Sequence, residues 1–168
     1  MLFESYDIQK YYDSHIESTT YLLRLLKHRG PKANEDNVAI PPHTDKSFFT
    51  ILHQNEVDGL HVKTKDGQWI AVEFPPSSFV VMAGDACMGW TNDRVCSPHH
   101  RVIMTGEQTR YSMALFSFVS KLIQAPEELV DDEHPLRYKP FDQVELLKYY
   151  HTEEGHQAEN TVKAFCGI

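Results

Sequence analysis

The 168 residues suffice for one domain with a hydrophobic core, and 41% hydrophobic with 24% charged residues is an ordinary globular composition. A formal net charge of −8 argues against a nucleic-acid partner and against binding to an anionic membrane surface. No stretch of the sequence is long and apolar enough to predict a bilayer-spanning helix.

The cysteines and the N-terminus bear on the compartment. Cys87, Cys96 and Cys166 are odd in number and form no CxxC pair, so we expect reduced thiols in a cytoplasmic protein. The N-terminus lacks the basic lead and the apolar run of a signal peptide. The sequence gives no prediction of the oligomeric state.

The first part of the chain is predicted to be helical over residues 4–20. Ile8, Tyr12 and Ile16 recur there at four-residue spacing, which places them on one helix face. The apolar run 21–27 fits either a continuation of this helix or a strand.

Beyond a break at Gly30-Pro31 and a polar loop predicted at 34–37, the signals are those of short strands. Asp66-Gly67, between two such segments, predicts a two-residue hairpin turn. The predicted strands cover residues 48–53, 60–65, 68–73, 79–83, 101–105 and 111–119. Short strands at this spacing favour a β-sandwich or barrel over βαβ units.

The tail is predicted to be helical again over residues 143–151. Asp142 can cap this helix, with Glu145 as its capping-box partner, and Phe141 can pack on Leu146 as a hydrophobic staple.

His43 and Asp45 form a candidate metal site. In an extended segment, side chains two residues apart point to the same face and can reach one ion. On its own an HxD triplet is a weak signal in a chain with ten histidines. Two histidines with one carboxylate are the ligand set of non-haem Fe(II) oxygenases, so a third ligand is needed. The candidates are His53, His61, His99 and His100.

Arg110 and Ser112 form a second candidate site. On one face of a strand, a guanidinium and a hydroxyl can together hold a carboxylate. The alternative is a structural ion pair between Arg110 and an Asp or Glu of the chain itself. The same face continues with Ala114, Phe116 and Phe118, and the two phenylalanines are predicted to be core residues.

The combined pattern is more specific than its parts, because His100 lies 57 residues after His43 and Arg110 follows ten residues later. It resembles the plant 2-oxoglutarate/Fe(II)-dependent dioxygenases, and among them the glucosinolate side-chain-modifying group that forms alkenyl and hydroxyalkyl products. The motifs that carry this resemblance are Pro42-His43-Thr44-Asp45, Gly59-Leu60-His61-Val62, Gly67-Gln68-Trp69-Ile70, Gly84-Asp85, Ser97-Pro98-His99-His100-Arg101-Val102 and Arg110-Tyr111-Ser112.

The resemblance implies a mainly β fold, a double-stranded β-helix (jelly roll) with flanking helices at both ends. The whole chain, 1–168, is then a single dioxygenase domain, with a core over about 20–120 and a C-terminal helical segment over about 125–168. Family members carry a substantial region before the position of Met1, and we expect that region to be absent here.

The resemblance also implies the roles of the site residues. His43, Asp45 and His100 would ligate Fe(II), the last because the family's ligand directly precedes Arg-Val. Arg110 and Ser112 would bind the distal carboxylate of 2-oxoglutarate. The implied activity is oxidation of a C–H bond of a small organic substrate, such as a plant secondary metabolite, with O2 as cosubstrate, release of succinate and CO2, and optional use of ascorbate.

The chain departs from the family's Asn-x-Tyr motif in the strand before the iron ligands. Leu26 stands at the Asn position and His28 at the Tyr position, where His28 can still donate a hydrogen bond to 2-oxoglutarate. Two other functions remain open from the sequence. One is a truncated, non-catalytic remnant that keeps the fold and metal binding, and the other is a zinc hydrolase that uses the same three ligands.

Overall fold

The computed structural model describes residues 1–32 and 35–168. Their strands form two four-stranded sheets, in the orders β1-β8-β3-β6 and β2-β7-β4-β5, and every neighbouring pair is antiparallel. The strands are β1 Thr19–His28, β2 Val38–His43, β3 Phe49–Gln54, β4 Leu60–Lys63, β5 Trp69–Ala71, β6 Val80–Ala83, β7 His100–Ile103 and β8 Arg110–Val119. The predicted mainly β jelly roll is therefore confirmed.

Short helices flank the strands at both ends of the chain, and one lies between β6 and β7. They are α1 Leu2–Ser5, α2 Tyr12–Glu17, α3 Asp85–Trp90, α4 Gln143–Tyr150, α5 Glu153–Gln157 and α6 Thr161–Cys166, with 3₁₀ turns at Gln9–Tyr11 and Glu127–Leu129. In the part of the chain that the structure describes, none of these helices is long and apolar enough to cross a membrane.

The prediction of one continuous helix over residues 4–20 is wrong. Asp7 has a φ of 55° and interrupts the helical backbone after α1, so the segment becomes α1, a 3₁₀ turn and α2. The ambiguous run 21–27 is strand, because all ten residues of β1 pair with β8. The predicted polar loop at 34–37 lies partly outside the described residues.

The connection between β4 and β5 also differs from prediction. Lys63 pairs with Trp69, and the Thr64 amide donates to the Gln68 carbonyl at 2.8 Å, so the turn has three residues rather than two. Gly67 takes the left-handed position with a φ of 88°, as longer hairpin loops require. The glycine was a correct turn signal, but it sits at the end of a longer turn.

The first tail helix is confirmed as α4. The Asp142 carboxylate accepts from the Val144 and Glu145 amides at 2.7 and 3.1 Å, which is the predicted N-cap. The reciprocal half of the capping box is wrong, because the Glu145 carboxylate accepts from Lys148 instead. Two further helices, α5 and α6, lie within the C-terminal helical segment that the resemblance implies, although no capping or spacing signal predicted them individually.

The hydrophobic core lies on the helical side of the molecule. It joins α3 to the N-terminal helices and to the C-terminal segment. Phe116 and Phe118 are only half-buried and lie outside this cluster, so their assignment to the core is wrong. The buried core residues are Phe3, Ile8, Phe48, Ala86, Cys87, Met88, Trp90, Ile123, Leu129, Tyr138, Phe141, Leu146 and Val162.

Candidate metal centre

Strand pairing brings the predicted ligands together. His43 is the last residue of β2, His100 is the first of β7, and the two are direct partners in the register of this pair. Asp45 follows two residues after β2. Its Oδ1 lies 3.6 Å from Nε2 of His43 and 3.6 Å from Nε2 of His100. The donor atoms of the three residues lie within 4.8 Å of one another, close enough to share one ion.

The other histidines that were candidates for the third ligand lie elsewhere. Within residues 1–32 and 35–168, the grouping of His43, Asp45 and His100 is the one set of three His, Cys, Asp or Glu side chains with metal-binding geometry. The rings of His53 and His61 instead hydrogen-bond through Nδ1 to backbone carbonyls, at 2.9 and 3.1 Å.

Backbone carbonyls fix the orientation of both ligand imidazoles. Nδ1 of His43 lies 2.9 Å from the Pro41 carbonyl, and Nδ1 of His100 lies 3.2 Å from the Pro98 carbonyl. A carbonyl can only accept, so each Nδ1 carries the proton and each Nε2 keeps its lone pair for a metal. Burial lowers the pKa of His100, which also favours the neutral, ligating form.

Asp45 is held as a carboxylate by its neighbours. Burial acts to raise its pKa, but the neighbouring imidazoles of His43 and His100 and the Thr50 hydroxyl together hold it below its usual value. That hydroxyl donates to Oδ2 at 2.6 Å, which leaves Oδ1 facing the imidazoles. Gly84 is required behind this loop, because a Cβ there would collide with the Ser47 carbonyl oxygen.

A buried ion pair supports the same loop. Lys46 Nζ lies 2.7 Å from Oδ2 of Asp85 and 2.9 Å from the carbonyl of Thr44, and it sits over the ring of Tyr150. The side chain of Gln143, on α4, donates to the Lys46 carbonyl at 2.8 Å. Helices α3 and α4 therefore fix the segment that carries the candidate metal ligand Asp45.

Arg110 begins β8 and is 2% exposed. Its Nε and Nη2 donate to Oε1 of Gln54 at 3.1 and 2.7 Å, and its Nη1 donates to the Ser112 hydroxyl at 3.0 Å. No carboxylate of the described residues lies within ion-pair distance of Arg110, so the structural ion pair considered above is not formed there. Burial lowers the pKa of Arg110, but an arginine remains charged in a protein.

His28 lies directly opposite Arg110, across the β1–β8 pair. Its Nδ1 is buried and has no hydrogen-bond partner in the structure. Burial, together with the charge of Arg110, lowers the pKa of His28. Leu26 lies opposite Ser112 in the same register. The residues aligned with the family's Asn-x-Tyr therefore do face the arginine–serine pair.

The sequence was compared with known families. A profile described as the 2OG-Fe(II) oxygenase superfamily matches residues 4–119. The chain belongs to this superfamily.

Named relatives of this oxygenase occur in Arabidopsis thaliana. The chain is 46% identical over 175 residues to a probable 2-oxoglutarate-dependent dioxygenase, AOP1.2, a match that covers all of this chain and 54% of that protein. It is 48% identical over 141 residues to the 2-oxoglutarate-dependent dioxygenase AOP3, covering 82% of this chain and 34% of that protein. The oxygenase chain thus spans about half of the first relative and a third of the second.

Solved structures share the fold. The rice dioxygenase for auxin oxidation superposes with a TM-score of 0.81 at 27% identity, covering 96% of this chain and 57% of that one. A full-length Neurospora crassa protein, solved in complex with α-ketoglutarate and thymine, superposes with a TM-score of 0.73 at 28% identity. The match covers 83% of this chain and 48% of that one.

The residues present fit the two groups that the superfamily is named for. Two imidazoles with free Nε2 atoms and one carboxylate make a donor set suited to Fe(II). A buried arginine without a carboxylate partner and the unpartnered His28 Nδ1 are groups that an anionic, hydrogen-bonding cosubstrate such as 2-oxoglutarate would satisfy.

Sequence reasoning missed three supporting residues. Thr50 contacts Asp45, and Gln54 contacts Arg110. Lys46 contacts the Thr44 carbonyl, in the loop that carries Asp45. The only available signal was alternation along β3, which puts Thr50 and Gln54 on one strand face. Lys46 had no signal, because its partner Asp85 is 39 residues away in the sequence.

Proposed function

We propose that this chain is the catalytic part of an Fe(II)- and 2-oxoglutarate-dependent dioxygenase. It oxidises a C–H bond of a small organic substrate and releases succinate and CO2. The observation that carries the proposal is the direct pairing of His43 with His100 beside Asp45, on the opposite sheet from Arg110. Thymine in the Neurospora complex, and auxin in the name of the rice enzyme, support a small organic substrate.

His43, Asp45 and His100 would hold the iron, and each has its second polar atom already engaged. This arrangement prevents the ligands from rotating away and sets one negative charge against the metal's two positive charges. When bound, Fe(II) and 2-oxoglutarate supply the electrons that activate O2 for C–H oxidation.

Arg110 and Ser112 would hold the distal carboxylate of 2-oxoglutarate. Gln54 locks the guanidinium in place through two hydrogen bonds, so little side-chain entropy remains to be lost on binding. His28, from β1, supplies a further hydrogen bond on the same face. Cys87, Cys96 and Cys166 form no disulfide in the structure, in keeping with the cytoplasmic setting that we propose for this oxygenase.

The test is an anaerobic titration of the purified chain with Fe(II) and then 2-oxoglutarate, followed by the visible charge-transfer band of the chelate. We expect a band in the wild type and a markedly higher 2-oxoglutarate requirement in Arg110→Gln. Arg137→Gln, a surface arginine paired with Asp93, is the matched control and should titrate like the wild type.

The competing function is a non-catalytic remnant, and one relative at 43% identity is itself named a probable inactive 2-oxoglutarate-dependent dioxygenase. A folded wild-type chain with no band would support that alternative. A zinc hydrolase that used the same ligands would be indifferent to 2-oxoglutarate and to the substitution of Arg110.

A further inference from the structure

Arg24 is a second cation on the face of the sheet that carries the cosubstrate site. In the β1–β8 register, Arg24 pairs with Ala114, two positions before Leu26 pairs with Ser112. Directly opposite residues project to the same face of a sheet, and so do residues two apart on one strand. Arg24 therefore projects to the same side as Ser112 and Arg110.

The guanidinium is placed near the metal loop, residues 44–48, which joins β2 to β3 and includes Asp45. Its Cζ lies 5.5 Å from the ring centroid of Phe116. Phe116 is paired across the sheet with Thr50, whose hydroxyl bonds the Asp45 carboxylate. Since β1 and β3 flank β8, Arg24 lies across the sheet from Leu52, two interstrand spacings away, and the Thr50 backbone is about 12 Å from that of Arg24.

Arg24 is too far from Arg110 to share its ligand. His28, opposite Arg110, lies four residues along β1 from Arg24, which is roughly 13 Å in an extended strand. The two arginines therefore offer two separate anion sites on one face, one at the end of β8 and one beside the metal loop.

The charge of Arg24 has no partner within residues 1–32 and 35–168: no carboxylate lies within ion-pair distance, and the side chain is exposed. The other exposed arginines engage acids, as Arg29 does with Glu35 and Arg137 with Asp93. A solvated surface arginine is ordinary, but this one lies over an aromatic ring and is flanked on its own face by Leu22 and Leu26. The attraction of the guanidinium to the ring restricts its position, which favours a bidentate contact with a bound anion.

We infer that Arg24 binds an oxyanionic group of the substrate, so that the substrate class of this oxygenase is organic acids. The inference rests on the proposed function and specifies its substrate. A planar guanidinium pairs best with a carboxylate or a similar oxyanion. Leu22, Leu26 and Phe116 provide apolar contact for the carbon skeleton, which then extends from the anchored acid group toward the metal loop.

The test compares matched acids and amides on the chain loaded with Zn(II) and 2-oxoglutarate, where no turnover occurs. Phenylacetate and 4-phenylbutyrate would be titrated against phenylacetamide and 4-phenylbutyramide by calorimetry. We expect the wild type to bind at least one acid about tenfold or more tightly than its amide. Arg24→Gln should abolish that preference and Arg24→Lys should retain part of it.

Lys27→Gln is the matched control. Lys27 lies on the same strand and over an aromatic ring, that of Tyr111, but on the opposite face. The Lys27→Gln variant should keep the full preference for the acid over the amide. The inference is wrong if neither acid binds better than its amide, or if Arg24→Gln keeps the preference. The charge-transfer titration separates the two proposals, because a wild type that forms the band but shows no acid preference overturns only the role of Arg24.

Discussion

At the scale of single residues, the proposed metal ligands depend on the groups that orient them. Thr50 is fully buried and directs its hydroxyl to Oδ2 of Asp45. Partners that orient a metal ligand are typically worth 10- to 100-fold in metal affinity. We therefore expect Thr50→Val, which keeps the volume and removes the donor, to weaken metal binding by about 10- to 100-fold.

The measurement is a Co(II) titration of the metal-free chain, followed by absorption or calorimetry. Thr20→Val is the matched control, because Thr20 also lies on a strand of the same sheet and its exposed hydroxyl bonds only the Phe118 carbonyl, at 3.4 Å. Equal dissociation constants for wild type, Thr50→Val and Thr20→Val would show that the hydroxyl does not orient the carboxylate.

The residue types and spacing of the sequence pointed to His43, Asp45 and His100, but not to what holds them. Alternation in an extended segment predicted that His43 and Asp45 reach one side, although the strand itself ends at His43, and the register of β2 with β7 brings in the third residue, His100. The supporting contacts of Thr50 and Gln54 depend on which strand lies beside β8, and a single sequence does not contain that information.

At the scale of elements, Lys46 connects the metal loop to α3 and α4. Lys46 is 6% exposed and Asp85 is not exposed, and Oδ1 of Asp85 has no hydrogen-bond partner. Lys46→Met would leave this carboxylate buried without its cation, so we expect a loss of about 3–5 kcal/mol in the free energy of unfolding.

The double variant Lys46→Met/Asp85→Asn distinguishes loss of charge pairing from loss of packing. Removing the uncompensated charge should recover part of the stability, because the amide is less costly to bury than the carboxylate. Urea unfolding of the wild type, the single variant and the double variant measures both effects. A double variant as unstable as the single one would mean that packing of the Lys46 side chain dominates.

Two elements were missed from the sequence, β2 and α3, and each was missed for its own physical reason. β2 contains Pro41 and Pro42, which lack the donor that a strand ladder uses, and its register with β7 is irregular at two places. The six-residue helix α3 is buried along its whole length and so shows no polar face. By contrast, β3, β6, β7 and β8 were predicted to within one or two residues at each end, because their apolar runs end at turn residues.

At the scale of the whole molecule, stability should depend on pH through histidines that the fold keeps neutral. Burial lowers the pKa of His15, His28 and His100, with the charge of Lys121 adding to the effect on His15. His15 packs against Phe48, at 4.4 Å between ring centroids, within the aromatic part of the core. These three rings lie in different parts of the fold, so their titration reports on the folded chain as a whole.

The direction in which stability changes with pH follows from proton linkage. The unfolded chain binds these protons near the ordinary histidine pKa of about 6.5, whereas the folded chain binds them only at lower pH. The unfolded state therefore holds more protons as the pH falls through this range, and the metal-free chain should lose stability between about pH 7.5 and 5.5. Asp45 acts in a lower window, because its lowered pKa contributes stability that is lost only as the pH falls through that folded value.

Urea midpoints of the metal-free chain at the two pH values, with a chelator present, measure this loss. His15→Gln should reduce the difference between the two midpoints, whatever it does to either midpoint alone, since the substituted side chain does not titrate. Saturating Zn(II) should instead enlarge the difference, because a metal bound at Nε2 keeps His100 unprotonated in the folded chain while the unfolded chain still takes up protons. A pH-independent midpoint in the wild type would contradict the claim that folding keeps these imidazoles neutral.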